Sequence, residues 1–312
     1  MQPIIAPIPK EVLLSELNAS TFLRTTNKGD NELYIINQHN APNVVREIGR
    51  LREEAFRLGG GGTGKEIDLD EYDTSEHCYQ QLIVWNPEEN EIVGGYRYIK
   101  CADAIDTNGD IHLSTTHYFN FSAQFLKDYL PKTIELGRSF VQPNYQNKDG
   151  NRKGLFSLDN LWDGLGALMV MHKDDVQYFF GKMTMYKQFN QIARDHIISF
   201  LYHYFPDKDK LVTAKAELRK PVLHDVQDFL IKLKELPYKE GHLLLNHIIK
   251  EYGETVPPLI NSYMNLSSTM KTFETAYNPD FGDVDETCIL IDMNDIYESK
   301  KDRHVTTYVA NV

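Results

Sequence analysis

Between residues 80 and 205 the hydrophobic period of the chain switches between strand-like and helix-like, and the order of the switches admits few folds. QQLIVW at 80–85 and IVGGYRYIK at 92–100 are strand-like runs joined by the turn-forming PEENE, a hairpin signature. A third such run, TIELGRSFV, occupies 133–141. Helical spacing follows in SLDNLWDGLGALMVMHK from residue 157, with Leu158, Leu161, Trp162, Leu165, Leu168 and Met169 as its expected apolar stripe. VQYFFGKMTM at 176–185 is strand-like again, and FNQIARDHIISFLYHYF at 189–205 is helical. The order β-β-β-α-β-α predicts a mixed sheet with helices packed on its faces, an α/β or α+β domain.

Upstream, the pattern predicts a short helix around Glu11–Leu17, an apolar run LYII at 33–36, and a helix over 42–59. Val44, Val45, Ile48, Leu51, Ala55 and Phe56 recur there at helical spacing, with Pro42 near the start. Downstream it predicts helices near 224–237 and 241–252 and a strand, TCILIDM, at 287–293. Residues 1–40 read as an N-terminal extension. No linker-like change of composition divides 41–312, so the mainly helical stretch from about 206 to 312 reads as an extension of one domain.

The net charge of −12, from 45 Asp and Glu against 33 Lys and Arg, argues against a nucleic-acid partner. The local basic run KDKLVTAKAELRK, with Lys208, Lys210, Lys215, Arg219 and Lys220, reads as a solvated face. No window approaches the run of about 18 apolar residues that a membrane span needs. MQPIIAPIPKEVLLSEL lacks a basic segment followed by a long apolar one, so no signal peptide is expected. Cys78, Cys101 and Cys288 are widely spaced and odd in number, which fits reduced thiols in a cytoplasmic protein.

Several motifs mislead. Gly59, Gly64 and Lys65 in LGGGGTGKE match the spacing of a phosphate loop. Glu66 stands where a Ser or Thr would hold magnesium, however, and the loop follows a helix rather than a strand. A mobile, lid-forming glycine loop is the expectation. DTNGD at 106–110 reads as a turn, and no metal set is expected: His242 and His247 stand five apart and would not share a helix face.

Charges inside core-like strands are the strongest pointer to chemistry, because burying them alone is costly. Arg97 lies in IVGGYRYIK, and Glu135 and Arg138 lie in TIELGRSFV. The acidic run EIDLDEYD, with Asp68, Asp70 and Asp73, could meet Arg52, Arg97 and Arg138 in a network. Strict alternation would place Glu135, Gly137, Ser139 and Val141 on one face of the strand and Ile134, Leu136, Arg138 and Phe140 on the other. Glu135 and Arg138 then could not share a cleft. Gly137 and the adjoining apolar pair Phe140-Val141 suggest a β-bulge, a feature that recurs beside active sites.

Arg52 and Phe56 on a helix, Asp70 and Asp73, Gly94, Gly95 and Arg97, then Glu135 to Ser139 form an ordered set. It resembles the autoinducer-synthase-like branch of the GNAT N-acyltransferases. VQPNY at 141–145, LWDGL at 161–165, YFFGKMTM at 178–185, PPLINSYMNL at 257–266 and DFGDVDETCILIDM at 280–293 look like the ornithine- and glycine-lipid N-acyltransferases, once labelled haemolysins. The resemblance spans about residues 45–295. It implies a GNAT-like mixed central sheet and transfer of a fatty acyl group, often 3-hydroxylated, from a thioester to an amino acid's α-amine in aminolipid biosynthesis.

The resemblance further implies acyl carrier protein as donor and partner, an amino-acid acceptor such as glycine or ornithine, no permanently bound cofactor, no metal, and transient contact of a cytoplasmic protein with the inner membrane face. Residues 144–160 lack the Q/R-x-x-G-x-G/A start that coenzyme-A-using relatives carry, which favours the carrier protein over coenzyme A. The thioester arm is expected along 133–141, where that strand splays from 176–185, with the backbone N–H groups of Phe140 and Val141 as oxyanion donors. Glu135 is the expected general base, acting through water. Arg52, Asp70, Asp73, Arg97, Arg138 and Ser139 are the expected substrate-binding residues. Trp162, Leu165 and Phe180 are expected in the core. Weighed against this were an S-adenosylmethionine-using autoinducer synthase, to which the C-terminal third does not correspond, and a membrane-active haemolysin, for which no basic amphipathic segment exists.

Overall fold

The hairpin at 80–100 forms the centre of one antiparallel sheet in a computed structural model of the chain, which describes residues 1–146 and 152–308. In chain order the first half comprises α1 (Lys10–Glu16), β1 (Phe22–Thr25), β2 (Glu32–Ile36), α2 (Pro42–Leu58), α3 (Glu71–Thr74), β3 (Gln80–Asn86), β4 (Glu91–Lys100), β5 (Phe119–Phe121) and β6 (Thr133–Val141). The second half comprises α4 (Ser157–Met171), β7 (Tyr178–Met185), α5 (Gln191–Tyr204), β8 (Val212–Ala214), α6 (Gln227–Lys234), α7 (Tyr238–Glu251), α8 (Pro258–Met264), β9 (Lys271–Asn278), β10 (Val284–Asp292) and α9 (Glu298–His304). The architecture is mixed α/β. By internal contacts the chain forms two compact units, 1–114 with 131–177 and 298–312, and 115–130 with 178–297.

In the first unit the strand order is β1-β2-β3-β4-β6, each pair antiparallel. Residues 1–40 therefore contribute two strands to this sheet. Alternation along β3 and β4 assigns the two faces. Gln81 pairs with Arg97 and both point toward α2, whereas Leu82 meets Gly164 of α4. One helix thus lies on each face. Pro42 opens α2 at a position where the missing N–H costs nothing. The Glu16 carboxylate accepts the Asn43 and Val44 N–H groups at 2.9 Å each, capping that helix from outside.

The expected stripe of α4 is only half right. Leu161, Leu165 and Leu168 are buried, Trp162 and Met169 are half-buried, and Leu158 is exposed. The buried face instead runs through small and polar residues. A Cβ on Gly166 would stand 2.1 Å from the His304 carbonyl oxygen, so α9 seats directly on that glycine. Asp163 receives His304 Nδ1 at 2.7 Å and the Asn27 N–H at 2.8 Å.

Gly94 sets how closely β4 and β6 approach. A Cβ there would lie 2.4 Å from the Phe140 carbonyl oxygen. Gly94→Ala is expected to force the two strands apart and destabilise the protein by about 1–3 kcal/mol, the usual cost of overpacking. Thermal melting checks this; an unchanged midpoint would contradict the packing described.

The glycine loop after α2 is tethered rather than loose. Thr63 N–H and Oγ1 donate to Glu53 Oε2 at 2.9 and 2.8 Å, and the Gly64 N–H donates to Oε1 at 2.8 Å. Burial works against charge on Glu53, but Arg57 and these loop donors outweigh it and hold its pKa below the ordinary value. The lid reading gives way to a structural staple. Residues 147–151 of the loop predicted at 144–154 lie outside the described residues.

In the second unit β10 is central, antiparallel to β7 on one side and to β9 on the other. β5 and β8 form a separate antiparallel pair. Phe125, Phe180 and Phe273 close its core, with ring centroids 5.4 Å apart for Phe125–Phe180 and 6.1 Å for Phe180–Phe273. Phe180 and Leu165 are therefore core residues, as expected. The three cysteines are all buried and unbridged.

Candidate active site

The charged residues singled out in the sequence converge in the first unit because α2, the 67–73 segment and two strands meet there. Gly49 on α2 lets the chain at Ile67–Leu69 lie flush on the helix, since a Cβ would stand 2.7 Å from Leu69 Cγ. The Asp68 N–H donates to the Gly49 carbonyl at 3.1 Å, which places Asp68 beside Arg52. The D-x-x-D spacing then has a local cause. Asp70 caps α3 by accepting the Tyr72 N–H at 3.0 Å, and Asp73 reaches back to the Asp70 N–H at 3.2 Å. This is a capping box.

Asp73 is the hub. Its Oδ1 accepts Arg52 Nη1 at 3.1 Å and Gln81 Nε2 at 2.9 Å; its Oδ2 accepts Arg52 Nη2 at 2.7 Å and Arg97 Nη1 at 3.0 Å. Arg97 Nη1 also donates to Asp70 Oδ1 at 2.6 Å. Arg52 Nε and Arg138 Nε stand 3.0 and 3.1 Å from Asp68 Oδ2, ion-pair distances without hydrogen-bond alignment. Arg138 Nη2 lies 3.7 Å from Asp70 Oδ2. Three arginines thus neutralise three aspartates.

Burial alone would raise the pKa of Asp73, but Arg52 and Arg97 outweigh it and hold the carboxyl well below the usual range. Arg97 stays above its ordinary value because Asp73 and Asp70 overcome the opposing cost of burial. Arg52, Asp73 and Arg97 are enclosed, with Asp73 accepting from both guanidiniums. Asp70 and Arg138 keep surface, with side chains 31% and 16% exposed.

The bulge expected in β6 is present. Gly95 pairs with Phe140 and Arg97 with Gly137, so Tyr96 faces two residues, Arg138 and Ser139. Arg138 takes φ +48°, a left-handed conformation that costs a non-glycine residue about 1–2 kcal/mol. Strict alternation fails at this point. Phe140 now shares a face with Gly137 and Glu135, and Arg138 turns back to Asp68 and Asp70. Ser139 sits half-buried in the bulge. The Gln142 N–H donates to the Val93 carbonyl at 3.0 Å. Alternation therefore turns the Phe140 N–H toward β4 and the Val141 N–H away from it. Of the two expected oxyanion donors, only Val141 has an N–H directed out of that ladder.

Glu135 lies three residues before the first bulge residue, Arg138, with 0% of its surface exposed. Its Oε1 accepts Tyr79 Oη at 2.8 Å and Ser114 Oγ at 2.7 Å. Hydroxyls, rather than open solvent, meet this oxygen. The Arg97 guanidinium stands 5.5 Å from the Tyr72 ring and 5.4 Å from the Tyr79 ring, so Tyr79 touches both the charge cluster and Glu135. Burial, then the Glu135 charge, pushes the Tyr79 phenol well above its ordinary pKa; burial pushes Tyr72 to about 12.

Sequence reasoning missed Tyr79, Ser114 and Gln81 and did not include Asp68 among the site residues. Gln81, a polar residue at a pleat position within QQLIVW, carried a signal; Tyr79 and Ser114 carried none. Among the described residues no group of three or more metal-ligating side chains comes together, and no helix is long and apolar enough to cross a membrane.

The site coincides with a known domain. A family model described as an acetyltransferase (GNAT) domain matches residues 51–153. Two curated proteins are similar over nearly the whole chain, each called glycine N(alpha)-acyltransferase. The Phocaeicola vulgatus protein is 52% identical over 310 residues, 99% of this chain and 94% of its own length. The Bacteroides thetaiotaomicron protein is 52% identical over 316 residues, 100% of this chain and 92% of its own length. Among solved structures, the AHL synthase LasI aligns with TM-score 0.35 and 16% identity, covering 50% of this chain and 73% of that one. On the strength of the two close relatives, the chain belongs to the GNAT family of amino-acid N-acyltransferases.

Proposed function

We propose that the protein transfers a fatty acyl group, 3-hydroxylated in its preferred form, from acyl carrier protein to the α-amine of glycine, as a step of aminolipid biosynthesis. The names of the two relatives support glycine as acceptor. The absent coenzyme-A-type motif over 144–160 supports a carrier-protein donor, and no resident cofactor or metal is required. Contact with a membrane surface would serve release of the lipid product. The observation that carries the reading is a buried carboxylate, Glu135, beside an ion cluster of which only Asp70 and Arg138 remain accessible.

Aminolysis of a thioester needs an acceptor held close, a base for its proton, and a donor for the developing oxyanion. Arg138 and Asp70 offer complementary charges for an amino acid's carboxylate and ammonium, with Ser139 beside them. Arg52, Asp73 and Arg97 brace those two rather than touch substrate. Glu135 is the base. The Val141 N–H is the oxyanion donor, with Phe140 holding the strand in place.

Purified protein incubated with 3-hydroxyacyl carrier protein and glycine should release free thiol and form N-acylglycine. Ornithine, or acyl-coenzyme A as donor, should react more slowly. No amino-acid-dependent thiol with any donor would overturn the reading. Arg138→Lys keeps the charge but loses the planar fork. It is expected to raise KM for glycine about 10-fold with kcat little changed, corresponding to about 1.4 kcal/mol of binding. An unchanged KM would remove Arg138 from acceptor binding.

A further inference from the structure

We infer that Ser114 is a catalytic residue, the hydroxyl that carries the acceptor amine's proton to Glu135. The inference rests on Glu135 being the base. Glu135 itself has no exposed surface, so a bound amine cannot reach its carboxylate directly. Two hydroxyls stand at its Oε1, and they are not equivalent.

Tyr79 is 1% exposed, and its ring is flanked by Tyr72, at a centroid distance of 5.4 Å, and by the Arg97 guanidinium. Its hydroxyl donates to Glu135 and already accepts the Ser114 N–H at 3.0 Å. Its proton is committed and one acceptor site is filled, the ring is enclosed, and its raised pKa keeps it a phenol.

Ser114 is 8% exposed, the most of the three. Its Oγ donates to Glu135 at 2.7 Å, and no group among the described residues donates to it. A hydroxyl carries one donor and two acceptor sites, so its lone pairs remain for an incoming N–H. Ser114 is thus wired to the base through its proton and keeps acceptor capacity for an incoming N–H.

The step balances. The acceptor reacts as the neutral amine, its ammonium proton having left to solvent; the nitrogen bonds to the thioester carbonyl carbon, and the adduct's nitrogen then carries a surplus proton. That proton passes to Ser114 Oγ as the Oγ proton passes to Glu135 Oε1. Collapse of the oxyanion breaks the C–S bond, and Glu135 returns the proton through Ser114 to the departing sulfur.

Ser114→Ala removes the hydroxyl but leaves the backbone N–H that holds Tyr79. At neutral pH it is expected to lower kcat about 10- to 100-fold, with glycine KM unchanged and only a modest fall in melting temperature from the lost bond to Glu135. The deficit should shrink as pH rises and hydroxide takes the proton. Ser114→Thr, which keeps a hydroxyl, should recover most turnover, and Tyr79→Phe should lose only a few-fold. Wild-type kcat in Ser114→Ala alongside an inactive Glu135→Gln would overturn the relay while leaving the base in place. Equal loss in the Ala and Thr variants would also overturn it. An active Glu135→Gln would overturn both the base and the relay.

Discussion

Glu135→Gln is expected to lower kcat/KM by about 10²- to 10⁴-fold, the range general-base catalysis supplies. The substitution is close to isosteric. The amide oxygen still accepts Tyr79 Oη and Ser114 Oγ, now 2.8 and 2.7 Å from Oε1, so the pocket should keep its shape. What is lost is a carboxylate able to take a proton. Thiol release from an acyl-carrier-protein donor gives the rate, and the melting temperature verifies the fold. Turnover within a few-fold of wild type would remove Glu135 from the chemistry and leave it a buried structural acid.

The largest stability effect should come from the hub of the ion cluster. Asp73→Asn leaves Arg52 and Arg97 enclosed with one negative charge fewer. Removing one partner of a buried pair costs about 3–5 kcal/mol, because the stranded charge stays desolvated. The denaturant midpoint reads this directly; a shift equivalent to less than about 1 kcal/mol would mean that Asp68 and Asp70 carry the cluster alone. The same residue makes a pH prediction. Its folded pKa lies below its unfolded value of about 3.9. Its stabilisation is therefore complete above that unfolded value and is lost as pH falls below it toward the folded pKa. Wild-type stability should decline below about pH 4, and Asp73→Asn should flatten part of that decline.

How much of this was legible in the sequence depended on whether a pattern was local. The strands and helices between 80 and 205 announced themselves by period, as did the charges within them. Short elements did not. β1, β5 and β8 have four, three and three residues, too few to establish a period. β9, KTFETAYN, buries Thr272, Phe273, Thr275, Ala276 and Asn278, out of step with a two-residue alternation. α4 misled for a related reason: its tightest contacts use Gly164 and Gly166, which apolar periodicity overlooks. In the site, the arginines and aspartates stood out because charge is conspicuous in a core strand. Tyr79 and Ser114 reach Glu135 from 56 and 21 residues away, and nothing in their neighbourhoods marks them. Long-range hydroxyl contacts are a product of the fold.

The extra residue in β6 also has an arithmetic consequence. Strand side chains repeat every two residues, so the faces of two positions depend on whether an odd or even number of steps separates them. Phe140 and Gly137, three steps apart, share a face only because Tyr96 spans two residues. Losing one residue at 138–139 would leave a single residue opposite Tyr96, so the ladder would become regular and Phe140 and everything after it would keep both partner and face, whereas losing the pair would leave Tyr96 unopposed and turn Phe140 over. The extra residue is thus neutral for the sheet beyond it and acts only where it sits, at the left-handed Arg138. A single deletion here should spare the strand pairing beyond it while removing the turn that sends Arg138 back to the aspartates.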